Sequence, residues 1–190
     1  MRKWLRGAAF VACVAGSIPL SVAAQVVRVG TPRPRPEDAV SSLSISAVPS
    51  SVSFQLVAGG TVQGSSAVAI TTTWGGTLCL FTCTVNVYGY FSSPTAALVS
   101  TEGSPPVDIP SSEILGEVPT GIPTGYTAFT QTSPFGGAGA GLELVTQSFF
   151  ILAGAGTRTD SLSLEIDLTN QPQLPAGTYS GTLYIQAQSL

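Results

Sequence analysis

From Leu43 onward, apolar and polar residues alternate in short runs. Val52, Phe54 and Leu56 fall on one side of an extended segment, with Ser51, Ser53 and Gln55 on the other. Val68, Ile70, Thr72 and Trp74 repeat the pattern, and Val85, Val87 and Phe91 do so with Gly89 between them. Leu162, Leu164, Ile166 and Leu168 alternate with Ser163, Glu165 and Asp167. In the last run Tyr179, Leu183, Ile185 and Ala187 oppose Thr182, Tyr184, Gln186 and Gln188. A period of two marks a half-buried β-strand, because successive side chains leave opposite faces. Weaker strands are predicted at 43–48, 96–100, 109–118, 126–132 and 142–151. Clusters of Gly, Pro, Ser and Asn separate nearly all of these runs, and no stretch of similar length shows a helical period. The pattern predicts an all-β chain, an antiparallel β-sandwich. Uneven strand lengths and irregular loops favour a sandwich over a closed barrel.

The first 42 residues break the pattern. Arg2, Lys3 and Arg6 precede an apolar stretch from Ala8 to Ala15, and Gly16, Pro19 and Ser21 follow. Val22-Ala23-Ala24 has the small-x-small form of an export cleavage site, so residues 1–24 are expected to be a signal peptide cut before Gln25. The apolar run is too short for a span of ~20 residues. Cys13 falls inside this segment. Thr31-Pro32-Arg33-Pro34-Arg35-Pro36 then favours extended polyproline geometry, so residues 25–42 read as a Pro-rich linker or arm. Residues 43–190 are left as one domain, long enough for a sizeable core.

Composition sharpens this picture. Only 9% of residues are charged, against about 25% in an average domain, which fits an exported, membrane-associated or assembling protein. With no His there is no Ser-His-Asp or Cys-His arrangement and no imidazole metal site. The only lysine, Lys3, lies in the expected signal peptide, so lysine-based covalent chemistry goes with it. After cleavage Arg28, Arg33, Arg35 and Arg158 face ten carboxylates, a net charge of −6. An acidic chain without a basic cluster argues against nucleic acid and anionic lipid as partners.

Few residues remain to carry chemistry. Cys79 and Cys83 are expected to form a disulfide in an oxidising compartment. Four positions along a straight strand would separate them by about 13 Å, so the segment must turn back, as Gly75 and Gly76 permit. The spacing is not that of a redox pair, and nothing completes a zinc site. Glu165 and Asp167 share a strand face, but they alternate with Leu164, Ile166 and Leu168 and read as a solvent face rather than a glycosidase pair. Glu102, Asp108, Glu113 and Glu117 lack the spacing of a calcium loop. Gly136 to Gly141 and Gly154-Ala155-Gly156 lack the lysine and helix of a phosphate loop and read as packed or mobile loops. Tyr88 and Tyr90 project opposite Val85 and Val87, where they form cross-strand pairs or stack on sugar rings.

The tail from Leu174 to Gln188 contains Pro175, Gly177, Tyr179 and Gly181. Pro175 and Gly177 suit a turn, Tyr179 enters the core, and Gly181 lets a neighbouring backbone approach. This Pro-x-Gly-x-Tyr-x-Gly tail, running on into alternating residues, resembles the last strand of secreted bacterial β-sandwich proteins. These are pilin-like and spore-coat-protein-U-like, some of them without an assigned function. In pilin subunits a Gly about fourteen residues from the end and a penultimate aromatic mark the strand that a chaperone reads. Gly177 holds the fourteenth place, while Ser189 departs from the pattern. Such subunits also carry an alternating N-terminal donor strand. Val27 and Val29 begin one that Pro32, Pro34 and Pro36 stop, and Leu43, Ile45 and Ala47 fit better.

Together these features predict a secreted, extracellular, cell-surface or periplasmic β-sandwich that is not an enzyme and needs no cofactor or metal. It would work in structural assembly or adhesion, adding strands to itself or to another secreted protein, with no membrane contact once mature. The alternative is a carbohydrate-binding module that stacks glycan on Tyr88, Tyr90 or Trp74.

Overall fold

A computed structural model describes residues 19–23, 42–56, 59–75, 82–100, 107–150, 155–171, 174–175 and 178–189. The regular structure of the described residues is nearly all β, arranged as two six-stranded sheets. The strands are β1 (Pro19–Ala23), β2 (Leu43–Val48), β3 (Ser51–Gln55), β4 (Thr61–Gln63), β5 (Val68–Trp74) and β6 (Thr82–Phe91). After them come β7 (Val99–Ser100), β8 (Ile114–Glu117), β9 (Thr127–Ala128), β10 (Leu142–Phe150), β11 (Gly156–Asp167) and β12 (Tyr179–Ser189). The first sheet runs β10-β6-β12-β1-β3, with β7 also on β12. The second runs β2-β5-β11-β8-β9, with β4 also on β11. All pairings are antiparallel except that of β1 with β12.

The alternation read from the sequence becomes the burial pattern. Val52, Phe54, Val87, Phe91, Leu183 and Ile185 of the first sheet join Val68, Ile70, Ile114, Leu162, Leu164 and Ile166 of the second in one apolar cluster. Burying a Leu, Ile, Val or Phe side chain contributes about 1.5–3 kcal/mol, so this cluster dominates the stability. Hydroxyls face outward between β5 and β11: Thr71 meets Thr159 at 3.0 Å and Thr73 meets Thr157 at 3.2 Å.

The sheets are tied together at one corner. Gly64 N–H donates to the Leu164 carbonyl (2.8 Å) and Ser65 N–H to the Ser53 carbonyl (2.7 Å), linking β3 to β11. The short strand β4 beside this corner has no sequence signature, since three residues cannot show a period.

Three expected strands come out shorter. The 96–100 run contracts to β7, preceded by a single bridge between Leu98 and Ile109. The 109–118 run is split by a 3-10 turn at Ser111–Glu113 before β8, and Pro110, which has no N–H for a ladder, precedes it. The 126–132 run keeps only β9, because Thr130 N–H turns back to the Ala128 carbonyl (3.0 Å). Phe129 is then free to enter the core, where it meets Phe91 edge-on at 5.5 Å. The segment 43–48, considered above as a donor strand, is β2 of its own sheet and pairs with β5 throughout.

The largest surprise is β1. Residues Pro19–Ala23, which the sequence places at the end of the leader, form an inner strand of the first sheet. Ser21–Ala23 run parallel to Ser180–Thr182, and Pro19–Ala23 run antiparallel to Ser51–Gln55.

Candidate functional site

The outer face of the first sheet gathers most of the candidate aromatics. Register places Tyr184 of β12 opposite Tyr90 of β6, and Gln186 opposite Tyr88, which in turn faces Glu143 of β10. The Tyr90 and Tyr184 rings stack at 5.2 Å with 17° between their planes. Tyr88 is stacked at 4.6 Å and 19° by Phe135, a loop residue.

The glycine-rich segment 136–141 is what delivers Phe135. Gly136 and Gly139 adopt positive φ (85° and 70°), a conformation open mainly to glycine. Thr132 and Ser133 N–H both donate to the Gly139 carbonyl (2.9 and 3.0 Å), closing the loop. Phe135 N–H reaches the Gln186 side-chain oxygen at 3.4 Å. Beneath it Asn86 donates to the Tyr88 hydroxyl (3.1 Å) and accepts from Thr146 (2.7 Å). Burial pushes the Tyr88 phenol above its ordinary pKa and the Glu143 charge adds to this, while the Asn86 hydrogen bond opposes it.

The three predicted stacking residues therefore stand in different places. Tyr90 is half-buried beside the exposed ring of Tyr184, Tyr88 is buried beneath Phe135, and Trp74 is buried at the end of β5. The Trp74 indole packs on Phe149 at 4.6 Å and lies over Gly156, where an added Cβ would meet it at 2.5 Å. The outward platform is made by Tyr184, 37% exposed, and Phe135, 36% exposed, with Gln186 between them. Tyr184 was legible as a polar-face position of the last strand. Phe135 had no signal, since only the loop conformation brings it over the sheet.

Of the tail motif, Pro175, Tyr179 and Gly181 are among the described residues. Tyr179 is fully buried and its hydroxyl donates to the Pro175 carbonyl at 2.8 Å. Burial, and then the Asp108 charge, push its phenol above the ordinary pKa. An added Cβ on Gly181 would run into the Ala97 carbonyl. Gly177 lies outside the described residues, as do Cys79 and Glu102. Cys83 is buried at the start of β6.

The carboxylates are occupied by local contacts. Glu165 accepts from Gln63 (2.9 Å), and Gln63 accepts from the Tyr126 hydroxyl (3.1 Å). The hydroxyl and N–H of Thr169 both donate to Asp167 and hold its carboxyl below the usual range. Burial and then the charge of Asp167 push Glu113 up. Asp108 accepts from Ser100 N–H at 3.2 Å. Asp160, 3% exposed, accepts three bonds from Arg158 and one from the Thr120 hydroxyl. Arg158 also donates to the Gln147 side chain (2.7 Å) and the Thr120 carbonyl, binding β10, β11 and the 118–123 turn together. Among the described residues no three His, Cys, Asp or Glu side chains gather to hold a metal ion, and no helix is long and apolar enough to cross a membrane.

Of the four outermost strands, β10, β3, β2 and β9, the two longest are β10 and β2. Among the described residues β2 pairs only with β5; it carries no charged residue, and Val48 at its end is 66% exposed. Among the described residues β10 pairs only with β6, and Glu143 is its single charge. Ile122 N–H caps β10 at the Leu144 carbonyl (2.8 Å). β2 has no such cap among the described residues.

The chain matches no known family model and no curated protein sequence.

Proposed function

We propose that this chain is an exported, non-enzymatic β-sandwich, Ig-like or pilin-like, that works in structural assembly or adhesion. The observation that carries this reading is the β2 edge, six residues long, uncharged, and paired on one side only among the described residues. Monomeric proteins usually blunt such an edge with lysine, proline or a bulge, because its free N–H and C=O groups template another strand. Adding a strand there supplies main-chain hydrogen bonds, and the exposed alternate positions Ser44, Ser46 and Val48 would set its fit. The partner is a second copy or another secreted protein. The leader-like start, the expected Cys79–Cys83 bond and the scarcity of charge support an extracellular or surface setting.

Electron microscopy and surface-retention assays on a tagged, exported chain test this. Assembled particles or cell-bound protein are expected, and a chain found only as free monomer in the medium would defeat the proposal.

A second reading is favoured by the Tyr184–Phe135 platform. Two exposed aromatic surfaces flanking an amide suit a sugar, which offers an apolar ring face and equatorial hydroxyls. A glycan array gives the test: binding lost on Tyr184→Ala is expected, and an array without any binder removes this reading.

A further inference from the structure

The pairing of β2 fixes which of its main-chain groups face outward. Ser42 stands opposite Gly75 in the β2–β5 register, and its carbonyl accepts the Gly75 N–H at 2.8 Å. Bonded pairs alternate with unbonded ones along an antiparallel ladder. Ser44, Ser46 and Val48 therefore bond to β5, while the N–H and C=O groups of Leu43, Ile45 and Ala47 point away from it. The next ladder agrees. Thr71–Thr159 and Thr73–Thr157, whose hydroxyls touch, are then unbonded pairs of β5 and β11, where side chains come closest.

The same three residues leave the rim of the core open. Leu43, Ile45 and Ala47 pack on the apolar cluster but are only half-buried. Val68, Ile70, Thr72 and Trp74, on the same face of β5, are buried. Among the described residues, β2 lacks the further strand that would cover it.

Resting on the assembly reading above, we propose that this strand is β2 of a second copy, paired antiparallel about a two-fold axis at Ile45. Leu43 then faces Ala47 of the second copy, and Ile45 faces its own symmetry mate. Each bonded pair exchanges two bonds, so about six main-chain hydrogen bonds form. Large Leu43 meets small Ala47 on the core side, and Ser44 meets Ser46 on the other. No other register does as well. An axis at Ser46 sets Pro49, which has no N–H, opposite Leu43, and an axis at Ser44 leaves Ala47 facing beyond the end of β2. A one-residue shift sets outward groups against groups already bonded to β5.

The other outermost strands are closed to such a partner. β10 is bulged between Glu143 and Val145, and its Leu144 carbonyl is taken by Ile122 N–H. β3 is met by Ser65, which donates to the Ser53 carbonyl (2.7 Å) and accepts from Ser53 N–H (3.1 Å). β9 has two residues. A second copy thus offers β2 one matching edge, its own β2, and like paired with like closes the assembly at two. Charge agrees. Ala69, Thr71 and Thr73 beside β2 are uncharged, whereas Glu117, Glu165 and Asp167 lie across the sheet on β8 and the far half of β11. Repulsion between two acidic chains is therefore least at this edge. A two-fold axis perpendicular to the joined sheet keeps both first sheets on one side of it. Both Tyr184–Phe135 faces then point the same way, which suits a surface that repeats its ligand.

The test uses the full chain from a secreting host, carrying Ser44→Cys and Ser46→Cys together. Opposed residues of an unbonded pair stand ~4.5 Å apart at Cα, within disulfide reach. Non-reducing peptide mapping should find position 44 of one chain joined to position 46 of another, in dimers and nothing larger. Each single variant should stay uncrosslinked. Ala47→Pro removes an outward N–H without touching the β5 ladder. It should raise the dimer dissociation constant roughly tenfold or more in sedimentation equilibrium. Wild-type dimers without the 44–46 crosslink, or indifferent to Ala47→Pro, would overturn the inference and leave the assembly reading standing. Larger crosslinked species, or a crosslink to a different protein, would overturn it in the same way. A wild-type chain that is monomeric at every concentration would remove the assembly reading itself.

Discussion

Asp160 is buried, and its carboxylate is met by three contacts from Arg158 and one from Thr120. Removing one partner of such a pair leaves the other uncompensated, which costs more than the pair itself is worth. Arg158→Ala should therefore lower stability by ~3 kcal/mol in a denaturant melt, while Asp160→Asn, which can still accept from Thr120, should cost less. Equal effects would mean that the pair acts only through packing. Gly181→Ala should cost ~1–3 kcal/mol, because the new methyl meets the backbone carbonyl of Ala97 rather than a side chain that can turn away. Tyr88 and Tyr179 give a pH signature. Both phenols sit above the ordinary value of about 10 when folded, so above that pH the unfolded chain releases protons more readily. Stability is expected to be lost as pH rises through and beyond 10. An ultraviolet titration of tyrosine should show a late step that coincides with loss of near-ultraviolet circular dichroism.

At the scale of elements, the strands that the sequence located most firmly are those with four or more strictly alternating apolar residues. β11 and β12 are legible for that reason: a two-residue period over a long run has no helical alternative. β4, β7 and β9 are too short to show a period and exist because neighbouring strands offer an edge. The candidate surface was half legible. Tyr90 and Tyr184 follow from alternation, whereas Phe135 and the Arg158 network depend on loop paths that no local pattern encodes. Trp74 shows the converse, an aromatic whose place on the inner face of β5 outweighs its chemistry. For the open edge the relevant variant is Ser46→Lys, an exposed position on β2. A charge there should change folding stability by no more than ~0.5 kcal/mol, since it displaces no buried group. It should nonetheless weaken any strand addition, as edge lysines do in natural sheets.

At the scale of the whole molecule, the described residues of both sheets share one apolar cluster, and the two proposed activities are placed on an outer face and on a strand edge. The face bearing Tyr184 and Phe135 and the β2 edge belong to different sheets, so ligand contact and strand addition can be separated by mutation. A Tyr184→Ala chain that still assembles, and a Ser46→Lys chain that does not, would establish that separation. Sedimentation velocity of the exported chain over a hundredfold range of concentration tests assembly through the β2 edge most directly. The account predicts species larger than the monomer that grow with concentration and are lost in Ser46→Lys, with the melting temperature unchanged. A wild-type chain that stays monomeric throughout, or oligomers untouched by Ser46→Lys, would contradict it.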